Sequence, residues 1–226
     1  MKSTVLASLI NKLNKNKTNG LIHLRSISHT VDFAKVLEKK PRPTDSFIIP
    51  DTYYFIKNSE GLYVAAVLDA HSDLYWYVSK KHRGQGYLTN SMRKVILKHI
   101  FQYREKQKIS INKNELSEKN FKASQNVALS LGFTKTDDNS CDYVLSNDNY
   151  KTNDNIQGTK ILFTEKRLSE LKHQLNFLAT SLCLIKSEIE VKLGYSDFTQ
   201  NLDELVHMIA EQKDCLEDAQ KWSRGR

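Results

Sequence analysis

The segment Val78-Ser79-Lys80-Lys81-His82-Arg83-Gly84-Gln85-Gly86-Tyr87-Leu88 combines residue types suited to binding an anion. It reads as a strand, a glycine-containing turn and the start of a helix. That order presents backbone N–H groups without intrahelical partners at a helix N-terminus, where the dipole also favours negative charge. Gly84 and Gly86 let the backbone approach a phosphate with no Cβ in the way, and Arg83 adds charge. Nine Lys/Arg lie between Lys80 and Lys108, against the single acid Glu105. An anionic partner follows, either nucleic acid or a phosphorylated cofactor. The motif is not a Walker loop, because no Gly-Lys-Ser/Thr closes it. Nor is it a dinucleotide fingerprint, because the third glycine is missing and the preceding strand belongs to an antiparallel meander.

A second segment lies downstream: Asn120-Phe121-Lys122-Ala123-Ser124-Gln125-Asn126-Val127-Ala128-Leu129-Ser130-Leu131-Gly132-Phe133. Taken with Arg83-Gly84-Gln85-Gly86-Tyr87-Leu88, it resembles the GNAT superfamily of N-acetyltransferases. The first segment is similar to their Arg/Gln-x-x-Gly-x-Gly/Ala signature. The second is similar to the Asn-x-x-Ser-x-x-Val-Ala-x-x-Leu-Gly-Phe form of the ribosomal-protein N-terminal acetyltransferase branch. The two motifs cover about residues 74 to 133, and the family order of elements extends from 21 to about 165. The resemblance implies acetyl-CoA as cofactor, its pyrophosphate on the backbone amides of Arg83, Gly84, Gln85, Gly86, Tyr87 and Leu88. It implies that the strand edge Tyr77, Val78 and Ser79 holds the pantetheine arm, with Asn120 and Ser124 as further cofactor contacts. The implied reaction is direct attack of a primary amine, on a protein, peptide or small molecule, with positioning carrying much of the rate.

Two departures bear on catalysis. Leu88 replaces the usual small residue, and Ala128 stands where many relatives carry a tyrosine that protonates the leaving thiolate. Ser124 is one candidate substitute for that donor, and Tyr143 or Tyr53, if the fold brings it into place, is another. His71 and Asp73, just before the central strand, are the candidates for the general base, and a histidine titrating near neutrality suits the task. Tyr53, Tyr54, Tyr75 and Trp76 would either line the acceptor cleft or pack as ordinary strand residues.

These groups need a scaffold, and the pattern predicts an α/β domain with a mixed, mostly antiparallel sheet flanked by helices. Val5, Leu6, Leu9, Ile10 and Leu13 predict a leading helix. Leu21 to Ile27 predicts a strand, and Thr30 to Lys39 a helix ended by Pro41 and Pro43. Strands are expected over 53–57, 62–69 and 74–79, the first two joined by a tight Asn58-Ser59-Glu60-Gly61 turn. In the third, Leu74, Trp76 and Val78 share one face and Tyr75, Tyr77 and Ser79 the other. A helix over 86–104, a strand over 108–112 and a helix over 120–131 follow. The last two strands are Tyr143-Val144-Leu145 and Ile161-Leu162-Phe163; the alternative is a hairpin over 133–146 and a helix starting near Thr164.

Beyond that point Leu168, Leu171, Leu175, Leu178, Leu182, Ile185 and Ile189 step by three and four, an a/d heptad pattern. Gly194-Tyr195-Ser196-Asp197 breaks it, with Asp197 as N-cap, and a second helix carries Leu202, Leu205, Ile209 and Leu216. An antiparallel helical hairpin is predicted. Either a homodimer through these helices or packing on the preceding domain would cover its apolar flanks. The expected division is therefore a helix and turn over 1–20, a catalytic domain over 21–165 and the hairpin over 166–226.

Composition narrows the alternatives. The chain has 226 residues, a net charge of +8 and 39% hydrophobic residues, enough for a core. No run approaches the roughly 18 to 20 apolar residues of a membrane span, and the first ten residues make a poor signal peptide. Cys141, Cys183 and Cys215 are too few and too far apart for a disulfide scaffold and predict buried or half-buried thiols in a reducing cytoplasm. The scattered histidines predict no metal. Lys94, Lys98, Arg104, Lys106 and Lys108 lack the aromatic interleaving of a nucleic-acid reader, and solvated helix surface accounts for them. The second class left standing is a catalytically weak CoA-binding scaffold that recruits a partner through the hairpin.

Overall fold

A computed structural model describes residues 2–18, 20–37, 39–42, 44–137, 140–149 and 162–224. The chain divides into two compact units, Met1–Thr159 and Lys160–Arg226. The first is mixed α/β; the second is a pair of long helices.

The first unit is built on a five-stranded antiparallel meander: β1 (Ile22–Ser28), β2 (Val31–Val36), β3 (Asp51–Lys57), β4 (Tyr63–Asp69) and β5 (Leu74–Val78), adjacent in chain order. Helix α1 (Lys2–Asn14) covers one face. Its buried Leu6, Leu9, Ile10 and Leu13 recur at helical spacing and pack with Ala34, Val36, Tyr53, Phe55, Ala66 and Leu68. Asn14 fixes the end of that helix, donating to the Tyr63 carbonyl at 2.9 Å and accepting from the Tyr63 amide at 2.8 Å. The other face is covered by a continuous helix over 87–100, made of α2 (Tyr87–Ser91), a π-helical segment (Met92–Ile96) and α3 (Leu97–Ile100). Met92, Ile96, Leu97 and Ile100 are buried there with Val31, Tyr54, Ile56, Ala65 and Val67. The expected facing of β5 holds: Leu74, Trp76 and Val78 belong to this core and Tyr75 and Tyr77 to the other.

A second sheet has the order β6 (Lys106–Ser110), β8 (Asp142–Ser146), β7 (Thr134–Lys135), all antiparallel. Helix α4 (Glu118–Ser130) precedes β7, and Ser117 caps it by accepting from the Asn120 amide at 3.4 Å. Strands β5 and β6 run parallel and meet at a single bridge, Asp73 to Lys108.

The helix expected over 30–39 is a strand. Val31, Phe33, Ala34 and Val36 satisfy either period, and pairing decides between them, because β2 is hydrogen-bonded on both sides, to β1 and β3. β-Branched Val31 and Val36 suit that central position. At the end of the first unit the alternative reading is the observed one: β7 and β8 form the hairpin, and α5 starts at Glu165. Leu162 and Phe163 lie outside any strand, and Ile161 lies outside the described residues.

Helices α5 (Glu165–Leu193) and α6 (Asp197–Arg224) form the hairpin. Thr164 caps α5 by accepting from the Arg167 amide at 3.2 Å, and Gly194, at φ +84°, ends it. Asp197 is the first residue of α6 rather than its cap; the Ser196 hydroxyl accepts from the Thr199 amide at 3.4 Å. The seam departs from the expected heptads. Leu168, Leu171, Leu175, Leu182 and Ile189 are half-buried as expected, but Leu178 and Ile185 are 54% and 53% exposed. Ala179 and Lys186, one position later, face the seam instead. The shift is fixed by two cross-helix ion pairs, Lys172–Glu217 and Lys186–Asp203, each at 2.6 Å, whose aliphatic stems cover apolar surface while the charged ends pair. Leu205, carried in the expected α6 stripe, is likewise exposed. The three cysteines are exposed free thiols, not buried ones; Cys183 and Cys215 sit off the seam, and Cys141 lies in the turn before β8. Among the described residues no helix is long and apolar enough to cross a membrane.

A buried polar cluster fastens the helix over 87–100 to the sheet. His99, 4% exposed, places Nδ1 2.9 Å from the Tyr54 hydroxyl. Burial, aided by the charge of Arg25 and opposed by Asp69, lowers the His99 pKa to about 4. The folded protein thus holds His99 neutral at pH values where an unfolded chain would protonate it, between about 6.5 and 4. Stability from this group is complete above that window and falls as pH drops through it, by about 2–3 kcal/mol in all. Urea unfolding at pH 7 and pH 4.5 is expected to show this loss, and His99→Gln to flatten the slope.

Candidate functional site

The site begins where the two sheets part. The Asp73 carboxylate accepts from the Ser110 amide at 3.0 Å and, with the Asp73–Lys108 bridge, ties β5 to β6 at one end. From there the strands diverge, and a cleft of about 460 Å³ opens beyond them. Trp76, Tyr77 and Val78 of β5 form one wall; Asn120, Ala123, Ser124 and Val127 of α4 form the other.

The glycine turn closes the mouth. A 3-10 turn, Lys80–His82, leads from β5 into it, and Gln85 Nε2 donates back to the Lys81 carbonyl at 3.0 Å. Gly84 and Gly86 adopt φ +73° and +78°, the left-handed region that glycine enters without steric cost. A Cβ on Gly84 would meet nothing within 4 Å, so backbone conformation selects glycine there; on Gly86 it would lie 3.1 Å from Asn90 Nδ2. Gly86 takes the N-cap position and no side chain caps the helix, so the first turn, whose residues line the cleft, is a site of partial positive charge. Arg83 spans the opening: Nε donates to the Val78 carbonyl at 3.1 Å and Nη1 to Asn120 Oδ1 at 3.3 Å. His82 and Tyr87 meet edge to face, with ring centroids 6.1 Å apart, and both line the cleft.

The fold thus gathers most of the residues singled out for cofactor binding. Tyr77, Val78, Arg83, Gly84, Gly86, Tyr87, Leu88, Asn120 and Ser124 all line this one cleft. Ser79 sits beside it, its amide donating to the Val64 carbonyl at 2.9 Å, and Gln85 braces the turn from behind.

Of the residues singled out for catalysis, only Ser124 lines the cleft. His71 occupies the β4–β5 turn, exposed and at φ +68°, with its amide donating to Asp69. Asp73 is buried and engaged with the Ser110 amide. Tyr143 is buried on β8, where its hydroxyl accepts from Gln125 Nε2 at 2.7 Å. Ala128 is fully buried on the inner face of α4. The aromatic group divides: Tyr53 and Tyr54 are core, whereas Trp76 lines the cleft and, with Tyr75, the space beside it.

Three contributors carried no sequence signal. Ser3 of α1 lines the cleft, and so does Leu116, from the polar stretch between β6 and α4; Glu115 lies beside it. Their placement depends on where α1 docks and how that stretch turns, neither of which follows from spacing. No protein-family model, curated protein or solved structure matches the chain.

Proposed function

We propose that the chain is an acetyl-CoA-dependent N-acetyltransferase of the GNAT type, transferring acetyl to a primary amine. The observation that carries this reading is the Gly84–Gly86 turn with Arg83 at the mouth of the cleft where β5 and β6 part. The residues fit the cofactor on three counts. Positive-φ glycines and uncapped first-turn amides suit a pyrophosphate. The β5 edge facing the cleft suits an amide-bearing pantetheine arm. The apolar side chains in the lining, Trp76, Val78, Leu88 and Val127 among them, suit the carbon segments of the arm.

Acetyl-CoA supplies an activated thioester carbonyl when bound. The amides of residues 84 to 88 and the Arg83 guanidinium would hold the phosphates, and Tyr77 to Ser79 would align the arm. Asn120 orients Arg83 by accepting its hydrogen bond, and Ser124, in the cleft lining, would offer a hydroxyl donor for the leaving thiolate. Direct transfer to a bound amine requires no covalent enzyme intermediate, so positioning carries much of the rate.

Calorimetric titration with acetyl-CoA is the test, followed by thiol release against mixed amine and peptide acceptors. Micromolar binding with turnover is expected; absence of binding overturns the assignment. One observation favours a second reading, a CoA-binding scaffold: Ala128 leaves the usual tyrosine position empty of a donor, while the hairpin exposes Phe177, Leu178, Ile185, Leu205 and Met208 to a partner or a second copy. Binding without turnover on any acceptor would select it.

A further inference from the structure

A second cavity, of about 390 Å³, continues from the first. Ser3, Trp76, Leu116 and Ser124 line both, so the two cavities adjoin across these residues. The second lies closer to the tied end of the strands, between Leu74 and Tyr75 of β5 and residues 110 to 112, with Leu6 of α1 as its floor.

The two halves differ in charge. The first carries Arg83, His82 and the turn amides. Among its lining residues the second carries no lysine, arginine or histidine and one carboxylate, Glu115. That carboxylate sits exposed at the rim, where Asn112 Nδ2 donates to it at 3.2 Å.

We infer that the second cavity holds the acceptor as a small primary ammonium, that Glu115 selects its charge, and that Tyr75 and Trp76 flank its stem. This rests on the acetyl-CoA reading of the adjoining cleft and deepens it by naming the acceptor class. Three observations carry it. The shared lining residues Trp76 and Ser124 put a ligand in one cavity next to a ligand in the other. The protein's net charge of +8 repels cations at long range, so a preference for ammonium needs a local carboxylate, and Glu115 is the one in the lining. The volume lies at the low end for small-ligand pockets, and α1 closes one side, which suits a compact amine better than an extended peptide. A carboxylate facing an ammonium adds a charge-assisted hydrogen bond. Because Glu115 is solvent-exposed, its effect is modest.

The test uses phenethylamine and its neutral counterpart 2-phenylethanol, each titrated into the full-length protein loaded with CoA and followed by NMR line shifts. The amine is expected to bind roughly three- to tenfold tighter than the alcohol. Glu115→Gln is expected to erase that difference while leaving acetyl-CoA affinity and melting temperature unchanged. Equal binding of amine and alcohol to the wild type overturns the inference, as does an amine preference that survives in Glu115→Gln. It is also overturned if short peptides bind the loaded protein and phenethylamine does not. Failure of the wild type to bind acetyl-CoA removes the cofactor reading by itself; the same titrations on the free protein then judge the ammonium site.

Discussion

Gly86→Glu is expected to weaken acetyl-CoA binding by at least about 100-fold while the protein still unfolds cooperatively. Two effects combine. Gly86 sits at φ +78°, where a side chain costs roughly 1–2 kcal/mol, and its Cβ would press on Asn90 Nδ2 at 3.1 Å. Asn90 can swing aside, so the fold survives. The larger effect is electrostatic: the new carboxylate sits at the N-cap of the helix over 87–100, where it satisfies the first-turn amides itself and repels a pyrophosphate. Gly86→Ala separates the two, since it keeps the backbone strain and omits the charge, and should lose much less affinity. Calorimetry on all three proteins, with thermal unfolding alongside, reads the difference. A Gly86→Glu protein that binds acetyl-CoA normally would remove the glycine turn from the site.

The second large effect falls on stability. Asp69→Ala is expected to lower the unfolding free energy by about 3 kcal/mol, measured by urea titration at pH 7. The Asp69 side chain is 5% exposed and accepts from Arg104 twice, at 2.9 and 2.8 Å, and from the His71 amide at 3.0 Å. Removing it leaves the guanidinium, 23% exposed, with Gln107 Oε1 at 2.7 Å as its remaining partner. A charge stripped of its counterion in such a place costs more than the pair contributed. Because Asp69 ends β4 and Arg104 leads into β6, the loss is felt where the two sheets are tied. A change below about 0.5 kcal/mol would mean that water replaces the carboxylate at little cost.

The glycine turn was legible in the sequence because its chemistry and its backbone make the same demand: Gly84 and Gly86 are needed for positive φ, and the helix after them for its free amides. α1 was legible because Leu6, Leu9, Ile10 and Leu13 fit one period only. The stretch 31–36 was not, since its apolar positions fit two periods and the decision lay with strands β1 and β3 on either side. In the hairpin, Lys172 and Lys186 occupy the seam by burying their stems and pairing at their ends, which a hydrophobic count cannot register. The catalytic candidates are the most dispersed. His71, Asp73 and Tyr143 have suitable chemistry, but their positions follow from turn geometry and sheet pairing that composition does not encode. Glu115 has an ordinary polar neighbourhood in sequence and acquires meaning only through the wall it joins.

The Phe163 backbone has a further consequence. Gln220 accepts from its amide and donates to its carbonyl, both at 3.1 Å, so the residue entering α5 is buckled to the last turns of α6. A pull transmitted along the preceding chain therefore loads these two hydrogen bonds before it can peel α5 open from its first turn. The hairpin behaves as a fastened strut: tension reaching it must break the carboxamide buckle and the Lys172–Glu217 pair before either helix can unwind.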